Sequence, residues 1–139
     1  EKNREIAFVW YQKAAEQGNV EAQFALGECY QNGIGVEEDE EEAFAWYEKA
    51  AEKGLASAQN KLGVCYTNGV GVEQDFKQAF SWFKKAADQG NALAQYNTGG
   101  FYATGRGVKQ NVDKAVPYLQ AAAAQGHEKA QAMLERLGY

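Results

Sequence analysis

The chain repeats itself. Residues 22–54, AQFALGECYQNGIGVEEDEEEAFAWYEKAAEKG, return thirty-six positions later as 58–90, AQNKLGVCYTNGVGVEQDFKQAFSWFKKAADQG. They return again, more loosely, as 94–126, AQYNTGGFYATGRGVKQNVDKAVPYLQAAAAQG. One unit of this size cannot bury its own apolar face. A fixed period of this kind therefore means a stack of units, each covering the next. It also moves the functional question from a catalytic centre to a surface.

Within each unit the pattern is helix, tight loop, helix. The first helix, A, is expected over about 20–31, 56–67 and 92–103, with Ala22, Leu26 and Tyr30 on one stripe at i, i+4 and i+8. The loops NGIGV, NGVGV and TGRGV carry glycines two apart, which suit a left-handed helix end followed by a tight turn. A phosphate cradle would need a preceding strand and a third glycine or Gly-Lys-Ser/Thr, all missing here. The second helix, B, starts after Asp39, Asp75 and Asn111, each a good N-cap, with Glu42 and Gln78 completing a capping-box-like pattern. Its wide apolar stripe (Ala43, Phe44, Trp46, Tyr47, Ala50 and Ala51 in the first copy) can touch helices on two sides. Gly27, Gly63 and Gly99 lie inside helix A, at about 1 kcal/mol each against alanine, which predicts close approach of a neighbouring backbone. Pro117 falls inside helix B of the third repeat and predicts a bend or a delayed start.

The expectation is an all-α fold: a right-handed α-α superhelix of 36-residue helix-turn-helix repeats in one domain. Residues 1–18 match a lone helix B, 19–54, 55–90 and 91–126 are three repeats, and 127–139 form a C-terminal capping helix. Ile6, Phe8, Trp10 and Tyr11 on the opening helix B are expected to face a first helix A that precedes this segment. The chain lacks an initiator methionine and reads as part of something longer, so no compartment is legible: bacterial cytoplasm, periplasm and secretion all fit.

Composition removes several functions. No apolar run approaches the roughly 18 residues of a membrane span. The net charge of −5 leaves no basic stripe for nucleic acid. That charge is uneven: ten acids and two bases in 19–54, three acids and four bases in 55–90, one acid and three bases in 91–126. Such a gradient could orient a charged partner. Cys29 and Cys65 stand one repeat apart, roughly 10 Å in a helical stack, too far for a disulfide. They read as small buried hydrophobes, and Phe101 fills the same column in the third copy. His127 is the only histidine, and Ser57 and Ser81 the only serines, so no catalytic residue, metal site or cofactor is expected. The acidic run at 37–42 could hold a cation or a basic peptide, but reads better as a solvated loop and first helical turn favoured by the helix dipole.

The pattern Ala-x3-Leu-Gly-x2-Tyr-x2-Gly-x-Gly-Val-x2-Asp-x3-Ala-x2-Trp-x3-Ala-Ala-x2-Gly resembles the Sel1-like repeat, a relative of the tetratricopeptide repeat. It is matched throughout 22–54 and 58–90, with departures at Thr98, Asn111, Pro117 and Tyr118 in the third copy. The resemblance implies a non-enzymatic scaffold or adaptor for protein complexes. Some exported bacterial relatives bind cell-wall ligands, a distant alternative. Those held by disulfides carry paired cysteines within a repeat, which this chain lacks.

Comparing the copies suggests where a partner would lie. Columns 21/57/93, 24/60/96, 25/61/97 and 28/64/100 vary between copies and lie opposite the packed stripe of helix A. By analogy with tetratricopeptide arrays this is the concave face. The candidate binding residues for a protein or peptide are Glu21, Phe24, Glu28, Asn60, Lys61, Val64, Leu93, Tyr96 and Asn97. Phe24 and Tyr96 are expected to be aromatic anchors in a groove, unless they pack between neighbouring helices. Self-association through Trp10 and its apolar neighbours is the second candidate.

Overall fold

The computed structural model describes residues 2–139. Among them are eight helices and no strand: α1 (Lys2–Glu16), α2 (Val20–Asn32), α3 (Glu40–Glu52), α4 (Ala56–Asn68), α5 (Phe76–Asp88), α6 (Ala92–Thr104), α7 (Val112–Ala124) and α8 (Glu128–Arg136). Even-numbered helices are of type A and odd-numbered ones of type B, and each packs chiefly on its neighbours in sequence. The result is a right-handed solenoid.

Local chemistry sets each boundary. The Asp39, Asp75 and Asn111 side chains accept the amides of Glu42, Gln78 and Lys114 at 3.0–3.1 Å. The capping boxes do not close. Instead, the cap residues' own amides donate to the carbonyls of Tyr30, Tyr66 and Tyr102 at 2.8–2.9 Å, tying each loop back to the end of its helix A. Asn19, Asn91 and His127 cap α2, α6 and α8. Pro117 delays nothing. Helix α7 begins one residue after its cap, as α3 and α5 do, and continues past the proline, whose ring faces solvent.

The helix-interior glycines answer to a side chain rather than to a backbone. A Cβ on Gly27 or Gly99 would lie 2.7 Å from the Tyr47 ring or the Leu119 side chain, and one on Gly63 would strike the Phe83 ring. Each glycine is thus a socket for the large buried residue of its own helix B. The second loop glycine does a different job. Gly35, Gly71 and Gly107 have φ of 64–73°, and a Cβ there would run into the carbonyls of Arg4, Glu40 and Phe76 in the preceding helix B. Only glycine supplies both that backbone conformation and that clearance.

Successive units are joined by edge-on aromatic pairs: Phe8–Tyr30 and Phe44–Tyr66 at 5.5 Å, Phe80–Tyr102 at 5.0 Å between centroids. Such pairs contribute about 0.5–1.5 kcal/mol beyond area burial. A glutamine ladder runs beside them. Gln23, Gln59 and Gln95 donate to the carbonyls of Ala15, Ala51 and Ala87 at 3.2–3.4 Å. Gln59 and Gln95 also accept from Gln89 and Gln125, at 2.7 and 2.9 Å. In the first copy Lys53 occupies that donor column and turns to the Gly18 carbonyl, leaving Gln23 Oε1 without a partner.

Phe8, expected to face an earlier helix, packs on α2 and is buried. Ile6, Trp10 and Tyr11 stay exposed, Trp10 at 66%. Cys29 and Cys65 are buried free thiols. Burial raises the pKa of both, with the Glu28 charge adding to it at Cys29; Cys65 is pushed up to about 11 even though the Lys61 charge opposes the shift. In their column, Phe101 sets its ring edge-on to Phe83 at 5.3 Å.

Candidate partner-binding face

The A helices carry the variable columns because their other side is committed. Ala22, Leu26, Gly27 and Cys29, with their counterparts, are buried against helix B. What remains lies at the margin of that interface or beyond it, and there the candidate residues fare unequally.

Glu21 is exposed and Leu93 is 56% exposed, an open apolar side chain. Glu28, Lys61 and Asn97 are half-buried at the surface. Phe24 is half-buried and leans on Tyr47, ring centroids 5.6 Å apart, so much of it serves the core. Val64 likewise packs against the Ala79, Phe83 and Phe101 cluster. Tyr96 stacks flat on His127 at 4.5 Å, which links α6 to the start of α8 and holds the ring in place. Asn60 departs from expectation. It is 6% exposed, and its Oδ1 accepts from Asn97 Nδ2 at 3.2 Å, a bridge between α4 and α6. A side chain spent on joining two A helices is not free to meet a partner.

Two clefts open among these columns. One, of about 300 Å³, lies between Ala25, Glu28, Cys29 and Ile34 on one side and Asn3, Arg4, Ala7 and Tyr11 of α1 on the other. Beside it, the negative Glu28 adds to the effect of burial in raising the Tyr47 hydroxyl pKa. The other, of about 270 Å³, is lined by Tyr96, Asn97, Gly100, Phe101, Thr104, Arg106 and Met133. Tyr96 and Asn97 were expected there, and Gly100 stands in the variable column 28/64/100. Arg106, Thr104 and Met133 were not. Arg106 had a visible signal: it stands in a loop column where the other copies carry Ile34 and Val70.

The acidic run follows the loop that ends α2. Glu40, Glu41 and Glu42 are exposed in the first turn of α3, where the helix dipole favours negative charge. Among the described residues, no group of three or more His, Cys, Asp and Glu side chains is placed to hold a metal ion. No described helix is long and apolar enough to cross a membrane.

The model of the Sel1 repeat matches residues 1–19, 20–55, 56–91 and 92–127. Among solved structures the chain is similar to a protective antigen of uropathogenic Escherichia coli with an SLR fold, at 42% identity and a TM-score of 0.88. It is also similar to a Sel1 repeat protein from Oxalobacter formigenes, at 41% identity and a TM-score of 0.89. These matches cover 90% and 96% of this chain but only 27% and 39% of theirs. Helicobacter pylori cysteine rich protein B shares the fold at 24% identity and a TM-score of 0.74, with 95% of each chain covered. No curated protein matches. Four consecutive repeat matches leave little of the chain outside them, and the chain belongs to the Sel1 repeat family.

Proposed function

We propose that the chain is a non-enzymatic scaffold that receives a partner protein or peptide along the concave face of α2, α4 and α6. Sel1 repeat proteins are generally protein-interaction scaffolds. The observation that carries this reading is the pair of clefts that open on variable columns of the A helices, at Ala25 and Glu28 and at Tyr96, Asn97 and Gly100. Near the start of α6 the exposed Leu93 offers an apolar anchor. A photo-crosslinking residue at Leu93 and another at Ser81, on the solvent side of α5, would test it. Partner adducts in a source-cell lysate should form from position 93 and not from 81. The reverse pattern would overturn the assignment.

A second reading, assembly through α1, has its own support. Ile6 and Val9 are exposed at 49% and 45%, beside Trp10. The same columns hold Glu42, Gln78 and Lys114, and Ala45, Ser81 and Pro117, in the other B helices. A sedimentation mass that rises with concentration and stops rising in Trp10→Glu would favour it. A strict monomer would end it.

A further inference from the structure

We infer that the cleft between α6 and α8 receives the carboxylate of an aspartate or glutamate side chain from a partner peptide, with Arg106 as its counter-charge. This deepens the reading of the A-helix face and rests on it. The Arg106 guanidinium lies 5.2 Å from the Phe76 ring centroid and 5.9 Å from that of Phe101. Two rings therefore orient a planar, weakly hydrated cation. No carboxylate of the described residues lies within 4.0 Å of it. The only acid in 91–126 is Asp113, on the exposed side of α7.

The rest of the lining suits the same ligand. Tyr96 lines the cleft, its ring pinned by His127. Asn97 uses its amide group toward Asn60, which leaves a second N–H; the Thr104 hydroxyl spends its proton on the Gly100 carbonyl of its own helix at 2.8 Å and adds no donor. Gly100 keeps the floor bare: a Cβ there would meet nothing nearer than the Met133 methyl, at 4.0 Å. The site thus offers a guanidinium and an amide N–H over an open floor, and a carboxylate can accept two parallel bonds from the guanidinium fork. One guanidinium balances one carboxylate. A phosphate dianion would call for a second cation.

The test uses immobilised nine-residue peptide pools, degenerate except for a central Glu, Asp, Gln, Arg or phosphoserine, probed with the whole chain. The wild type should retain the Glu and Asp pools on the order of tenfold better than the Gln pool at low salt, with the margin shrinking as salt is added. Arg106→Val should erase the margin; Val70 occupies the same column in the second copy, so this variant is expected to fold. Arg106→Gln, which keeps much of the length without the charge, should erase it too. Equal retention of Glu and Gln pools, a margin that survives both variants, or preference for phosphoserine would each overturn the inference. If pools are retained without acidic preference and lost with Leu93→Ala/Tyr96→Ala, the carboxylate site falls and the face stands. If the wild type retains no pool, both fall.

Discussion

Gly99 and Gly100 are adjacent in the interior of α6, yet the same substitution should act on them in opposite directions. Replacing either with alanine gains about 1 kcal/mol of helix propensity, so that term cancels between the two variants. What differs is the space. At Gly99 the new methyl would sit 2.7 Å from Leu119 Cδ2 and Cγ and 3.3 Å from the Ala115 carbonyl oxygen. Leu119 and Ala115 are both 0% exposed, so neither has anywhere to go. Forcing a methyl into a packed core costs about 1–3 kcal/mol. At Gly100 the nearest atom is the tip of Met133, 4.0 Å away, an ordinary contact with a flexible side chain. Gly100→Ala should therefore stabilise the chain by up to about 1 kcal/mol. Gly99→Ala should fall below it by the whole overpacking cost, about 1–3 kcal/mol. For a chain of this size that is a gap of about 3–10 °C in melting temperature. Paired thermal and urea denaturation would measure it. A gap under about 0.5 kcal/mol, the usual scatter of a neutral surface change, would refute the idea that the glycine column exists to seat the large residue of helix B.

Thr98 is fully buried in a column otherwise held by Leu26, Leu62 and Leu134, and its hydroxyl has no partner. Thr98→Val keeps the shape, removes that oxygen and should raise stability by about 1–3 kcal/mol, read from urea denaturation. Lys53→Gln should complete the glutamine ladder by giving Gln23 Oε1 the donor it lacks, for a gain of about 0.5–1.5 kcal/mol; a loss would show that the Lys53–Gly18 contact matters more. The Cys65 thiol, raised by burial from 9.0 to about 11, binds its proton more tightly folded than unfolded. Its contribution is complete below pH 9 and disappears as pH rises through about 11. Stability should fall over that window, and Cys65→Ala should flatten the fall in a denaturation series. For the same reason neither thiol should react with a maleimide at pH 8 until the chain unfolds.

The solenoid is legible in the sequence because each of its devices is local and recurs. Asp39, Asp75 and Asn111 mark three helix starts by the same capping bond. The glycines inside helix A announce a close approach, although not that a ring makes it. The face is less legible, for a physical reason. Variation between copies shows that no requirement is shared by every copy, and exposure is only one way for that to happen. Asn60 varies against Phe24 and Tyr96 because it meets Asn97, a bond between two copies that a third need not make. Phe24 varies and still leans on Tyr47. Position 6 shows the converse. Ile6 departs from Glu42, Gln78 and Lys114, and this departure does lie in solvent.

The third copy brings these strands together. Its departures from the period are coupled. Phe101, where Cys29 and Cys65 stand, fills space against Phe83 and Phe76. The same two rings, Phe76 and Phe101, then carry Arg106 where aliphatic residues stand elsewhere. Gly100 replaces Glu28 and Val64 and leaves that arginine an open floor. Whatever all copies share holds the stack together and cannot tell one partner from another. Selectivity in such an array must come from what one copy does differently, and here the differences that reach solvent together converge on one cleft.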